Sequence, residues 1–128
     1  MNLLLDTHIW IWAKSDPMRI GKRVAHELSN RNNELWISPV SVWEALALMR
    51  KGRIRMQNPS LWVQRAAEQM REAPLTNEIV RVGLALQLPH ADPADRFLAG
   101  TAKVLNLTLV TADRKLIGLG DIASLANG

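Results

Sequence analysis

Four acids in this sequence, Asp6, Glu44, Asp95 and Asp113, sit where solvation alone explains a carboxylate poorly. Asp6 closes the apolar run Leu3-Leu4-Leu5, and Ile9-Trp10-Ile11-Trp12 follows just after it. Glu44 is the one acid in Val42-Trp43-Glu44-Ala45-Leu46-Ala47-Leu48. Asp95 lies one turn beyond Asp92-Pro93, and Asp113 comes soon after Leu107-Thr108-Leu109-Val110. Carboxylates brought together repel, and each takes up a proton unless a cation is present. A divalent ion supplies the charge, and an all-oxygen donor set suits Mg²⁺ or Mn²⁺. Such an ion keeps several waters and binds phosphate, which is the equipment for hydrolysing a phosphodiester. Simpler roles compete with this one. Asp113 before Arg114-Lys115-Leu116 fits a helix cap, and Asp92 with Asp95 fits a capping arrangement favoured by the helix dipole. Glu44 fits no such role, and the four taken together carry the chemical reading.

The elements that must position these acids alternate between strand and helix. Asn2 to Leu5 reads as a buried, parallel strand because it does not alternate in polarity. Asp16-Pro17 opens a helix carrying Ile20, Val24 and Leu28, which Asn30 to Asn33 end. Leu35-Trp36-Ile37 is a second strand, and Ser38-Pro39 caps a helix running to Lys51-Gly52. A helix from Asn58-Pro59-Ser60 to about Glu72, a weak strand at Ala73-Pro74-Leu75, and a helix from Thr76 through Gln87 follow. Asp92-Pro93 opens a helix with Phe97, Leu98, Thr101, Ala102 and Leu105 on its apolar face. Leu107 to Val110 is the clearest strand, Asp113 begins a short turn, and Asp121 to Leu125 adds an edge strand. Ala126-Asn127-Gly128 is expected to fray. This alternation implies a parallel, right-handed α/β sandwich. In such sheets ligands bind beyond the carboxyl ends of the strands, where Asp6, Glu44 and Asp113 map directly. Asp95 joins them if its helix starts at that edge.

Composition narrows the possible functions. The chain has 128 residues, read as one domain over 1–128, and 48% are hydrophobic. It has no cysteine, which excludes disulfide scaffolds, zinc ribbons and iron–sulfur sites. No Gly-rich loop follows a strand, which argues against nucleotide binding of the P-loop or dinucleotide kind. No apolar run reaches membrane-spanning length, and Met1 to Asp6 lacks the head of a signal peptide, so no membrane role and a cytoplasmic location are expected. Sixteen Lys and Arg against twelve Asp and Glu leave a net charge of +4, a modest lean towards polyanionic partners.

Around the four acids the sequence resembles a PIN-domain nuclease, in particular the VapC-like toxins of bacterial type II toxin–antitoxin modules. Leu3-Leu4-Leu5-Asp6-Thr7-His8 is similar to the opening motif, and Ser38 to Glu44 to the second. His90 to Ala99 is similar to the third, and Leu109-Val110-Thr111-Ala112-Asp113 to the fourth. The resemblance spans nearly the whole chain. It implies a Rossmann-like, PIN-like three-layer sandwich with a short, mainly parallel central sheet. It implies an endoribonuclease dependent on Mg²⁺ or Mn²⁺, leaving a 3′-hydroxyl and a 5′-phosphate. It also implies a homodimer, RNA as substrate and a cognate antitoxin as inhibitor. Within the third motif it selects Asp95, which directly precedes Arg96-Phe97-Leu98-Ala99, and leaves Asp92 as a cap or outer neighbour. Asp6 and Asp95 are then the primary metal ligands, with Glu44 and Asp113 completing the site directly or through water. Thr111 matches a position that often carries a hydroxyl near the metal.

The remaining polar and aromatic residues carry weaker expectations. Arg96 could contact substrate phosphate or pair with a carboxylate. Arg50, Lys51, Arg53 and Arg55 could hold RNA or form a solvated loop. His26 is expected at the surface, and packing is the simpler role for His8 and His90. The five tryptophans could stack bases but fit core packing or a dimer seam better. The alternative overall reading is a catalytically silent PIN-like module that binds RNA or protein, against which the retention of all four acids argues.

Overall fold

The computed structural model describes residues 1–88 and 92–128, which leaves His90 and the start of the third motif outside the described residues. Five strands form one parallel sheet: β1 (Asn2–Leu5), β2 (Glu34–Ile37), β3 (Arg71–Glu72), β4 (Thr108–Thr111) and β5 (Ala123–Ala126). Their spatial order is β3-β2-β1-β4-β5, so the chain builds outward from β1 in one direction and then in the other. The junction of β1 and β4 is the topological switch point, where the crossovers diverge and leave a crevice at the strand ends.

Among the described residues the α-helices are α1 (Thr7–Ser15), α2 (Lys22–Ser29), α3 (Pro39–Arg50), α4 (Pro59–Ala66), α5 (Asn77–Ala85) and α6 (Pro93–Val104). The pleat sends successive side chains of β1 to opposite faces. Leu3 and Leu5 enter a core with Ile9, Trp10, Val24, Ala45 and Ala66, whereas Leu4 enters a second core with Leu98, Ala99 and Leu109. Strands apolar on both faces, covered by α1 to α4 on one side and α6 on the other, give the expected three-layer α/β sandwich.

Several local expectations are corrected. The Ile-Trp-Ile-Trp run after Asp6 forms α1, a helix not anticipated from the sequence. Asp16-Pro17 opens only a 3-10 turn, Pro17–Arg19. Ile20 then extends, and α2 starts at Lys22 with Gly21 as its cap. Helix α4 stops at Ala66 because the chain turns at Gln69, whose φ of +69° is left-handed. The following strand therefore falls on Arg71–Glu72, not on Ala73 to Leu75. Helix α5 ends at Ala85, short of Gln87, and β5 starts two residues and ends one residue later than expected. Asn127 is held on three sides: its amide donates to Thr111 O (2.9 Å), while its side chain accepts from Gly21 N (2.7 Å) and donates to Arg19 O (3.0 Å). That clasp replaces the expected fraying.

Helix α6 is placed by backbone contact with α5. A Cβ on Gly100 would lie 2.6 Å from Ile79 O and 2.9 Å from Gly83 N, and one on Gly83 would lie 2.4 Å from Arg96 O. Only glycine permits this approach at both positions, and it sets where α6 begins.

Candidate active site

The β1–β4 switch point carries half of the acid cluster. Asp6 continues the ladder past β1, its amide donating to Val110 O at 2.9 Å. Its carboxylate caps α1, Oδ1 accepting from Thr7 N at 2.6 Å. Oδ2 accepts from the hydroxyl of Thr111, also at 2.6 Å. Thr111 is fully buried at the end of β4, and its Oγ1 accepts in turn from Asp113 N at 3.0 Å. One hydroxyl thus joins the acids that follow two neighbouring strands. Asp113 caps the 3-10 turn Arg114–Leu116, with Oδ1 accepting from Lys115 N at 2.9 Å. The simple capping role proposed for it is real, and the same residue lies close enough to raise the pKa of Asp6 and Asp95.

Glu44 enters from α3. Ser38 caps this helix through its hydroxyl, which accepts from Val40 N at 3.0 Å, and Pro39 occupies the first helical position. Helical side chains lean towards the N-terminus, which aims Glu44 back at the sheet edge. There its Oε1 accepts a short hydrogen bond from the buried Thr7 hydroxyl, which itself lies 2.9 Å from Ser41 Oγ. Thr7 was visible in the opening motif, but no role was assigned to it. Ser41 could have been found from its position one turn before Glu44.

Asp95 arrives from α6. Asp92 caps that helix, Oδ1 accepting from Asp95 N at 2.8 Å, and α6 does begin at the acid edge. Burial, first, and then the charges of Asp92, Asp6, Asp113 and Glu44 push the Asp95 carboxyl up from 3.8 to about 7. Burial raises Glu44 as well, reinforced by the charges of Asp6 and Asp92 and opposed by Thr7 and His8. Asp6 is raised by burial and the charge of Asp113, against the opposing pull of Thr111, Thr7 and His8. All four expected acids, and Asp92, therefore belong to one electrostatically coupled group.

That coupling is what a cation relieves, and the oxygen-only donors suit a hard divalent ion. Among the described residues, no three acids or histidines already stand in closed ligating geometry.

Arg96 has protein partners of its own. Its guanidinium donates to the carbonyls of Gly83, Leu84 and Leu86 at 3.1 Å each and to Leu88 O at 3.4 Å. A cation there satisfies open carbonyls at and just beyond the end of α5, so Arg96 clamps this segment to the start of α6. Trp10 is fully buried, as expected of core packing, but Trp43 is 70% exposed.

Carboxylates gathered beyond the carboxyl edge of a parallel sheet, at its switch point, define an acid-cluster site in a three-layer α/β protein. The PIN-domain family model matches residues 3–121, and the chain belongs to that family. It is 32% identical over 117 residues to Ribonuclease VapC22 of Mycobacterium tuberculosis, covering 90% of this chain and 89% of that protein. Its fold is similar to that of VapBC2 from Rickettsia felis bound to a promoter DNA fragment, with a TM-score of 0.76, 18% identity and full coverage of both chains. VapBC-1 from nontypeable Haemophilus influenzae matches with a TM-score of 0.67 and 23% identity over 98% of each chain. At these identities the solved structures speak for the fold.

Proposed function

We propose that this protein is an endoribonuclease, the toxin of a toxin–antitoxin pair, and that it hydrolyses RNA with Mg²⁺ or Mn²⁺ held at the acid cluster. The observation that carries the reading is the coupling of Asp6, Glu44, Asp95 and Asp113 at one sheet edge, with Asp95 pushed up to about 7. Kinship to Ribonuclease VapC22 supports RNA as the substrate, and PIN-domain VapC nucleases generally depend on a divalent metal. Asp6 and Asp95 hold the metal directly in this account, and Glu44 and Asp113 hold it directly or through its waters. A divalent metal held there would supply an acidified water and charge neutralisation for phosphodiester hydrolysis.

The chain's own groups do the rest. Thr111 orients Asp6 towards the crevice and fixes its distance from Asp113. Asp92 anchors the first turn of α6, which carries Asp95. The net positive charge attracts RNA while the negative cluster, once neutralised, accepts its phosphate.

Two partner assignments complete the reading. The VapBC neighbours support an antitoxin as the protein partner. A homodimer is supported by an apolar depression of about 420 Å³ lined by Val40, Trp43, Leu75, Pro93 and Phe97, beside the acid edge. Exposed apolar surface of this kind marks an association site. Trp43→Glu should give a monomer by analytical ultracentrifugation, and an unchanged sedimentation coefficient would remove this face from the account. For the chemistry itself, fragments from a metal-supplemented digest should carry 5′-phosphate and 3′-hydroxyl ends. Cyclic phosphate ends would point to attack by the RNA 2′-hydroxyl and overturn the hydrolytic reading.

A further inference from the structure

Thr7 touches two of the acids at once. As the first residue of α1, it donates its backbone N–H to Asp6 Oδ1 at 2.6 Å, and its hydroxyl bonds Glu44 Oε1. The same hydroxyl lies 2.9 Å from Ser41 Oγ. Thr7 and Ser41 are 1% and 0% exposed, so neither hydroxyl has water as an alternative partner. A hydroxyl has one proton to donate, and an ionised carboxylate can only accept. With Glu44 ionised, the one Thr7 proton goes to Glu44, and the proton at the Ser41–Thr7 contact then comes from Ser41. The result is a directed chain from Ser41 to Thr7 to Glu44. It runs from one turn of α3 through the start of α1 and back to α3.

We propose that Thr7 is a positioning residue that fixes the spacing of Asp6 and Glu44, with Ser41 holding its hydroxyl in the donating orientation. The inference rests on the acid cluster being a divalent-metal site. Glu44 is only half-buried and has three side-chain torsions, so without Thr7 its carboxylate is free to turn into solvent. The backbone bond to Asp6 survives any side-chain substitution at position 7, whereas the bond to Glu44 does not. Thr7 variants thus release one acid while leaving the other capped. Hydrogen-bond partners that orient metal ligands typically change metal affinity ten- to a hundredfold.

The test is Mn²⁺ titration of the full-length, metal-free protein by calorimetry, with circular dichroism as a check on folding. Thr7→Val should weaken Mn²⁺ binding by roughly ten- to a hundredfold. Thr7→Ser, which keeps the donor, should restore affinity to within a few-fold of wild type. Ser41→Ala should cost only a few-fold, and the double variant Thr7→Val with Ser41→Ala should be no worse than Thr7→Val alone, because Ser41 acts only through Thr7. If Thr7→Val does not fold, Thr7→Ala carries the same prediction with more room. In RNA cleavage the loss should fall on kcat, with KM for RNA nearly unchanged. Folded Thr7 variants without the hydroxyl that bind Mn²⁺ as wild type does would overturn the proposal, as would a serine variant that rescues nothing. A wild type that neither binds Mn²⁺ nor cuts RNA would instead remove the metal-site reading on which the proposal rests.

Discussion

Asp6 and Asp95 are both expected metal ligands and burial raises both, yet only Asp6 has protein donors that oppose the rise. Asp6 sits at the strand edge with a hydroxyl on one oxygen and a backbone N–H on the other. Asp95 sits at the start of α6, where burial and every neighbouring charge that acts on it favour its protonated form. One half of the site is pre-organised by protein donors. The other half is left with unfavourable charge that a cation relieves. On the proposed reading, such a site would have its framework set before metal arrives and would draw its affinity for metal from the strained half.

The largest effect should come from removing a ligand outright. Asp95→Asn and Asp6→Asn should each lower RNA cleavage by at least about a hundredfold, measured as kcat/KM. The two should differ in stability: Asp95→Asn raises the melting temperature of the metal-free protein near neutral pH, and Asp6→Asn does not. Equal shifts in both variants would break the comparison. Next, Thr111→Val removes the hydroxyl between Asp6 and Asp113 and should weaken Mn²⁺ binding by roughly ten- to a hundredfold, read by calorimetry. Gly100→Ala then tests the placement of α6. Its Cβ meets backbone that cannot yield, and chemical denaturation should show a loss of about 1–3 kcal/mol.

A further effect is the pH dependence. Asp95 is pushed from 3.8 to about 7, so the folded state holds its proton to higher pH than the unfolded chain does. Its contribution therefore makes the metal-free protein less stable as pH rises from about 4 through about 7, and divalent metal should restore that loss. In Asp95→Asn this slope should flatten, and thermal melts across that range check it.

The sequence made the acid edge legible because an isolated charge in an apolar helix, as at Glu44, and an acid closing an apolar strand, as at Asp6, leave few structural explanations. Caps were equally readable: Ser38, Thr76 and Asp92 each accept from the amides their positions predict. Helix α1 was hidden because Ile9-Trp10-Ile11-Trp12 alternates two bulky residue types that favour strands, and its burial erased the helical period. The turn at Gln69 was hidden because a non-glycine residue carries the left-handed backbone. The clamp made by Arg96 was hidden because the carbonyls it serves lie in and just after another helix, a relation that sequence spacing does not encode. Thr7 escaped notice for a similar reason, since its partners lie 34 and 37 residues away.

The most direct test of the central claim is cleavage of RNA by the purified full-length protein with Mg²⁺ or Mn²⁺, with excess chelator, and beside Asp95→Asn prepared identically. The account predicts discrete fragments only from wild type with metal. Equal cleavage in chelator, or by the Asp95 variant, would contradict it.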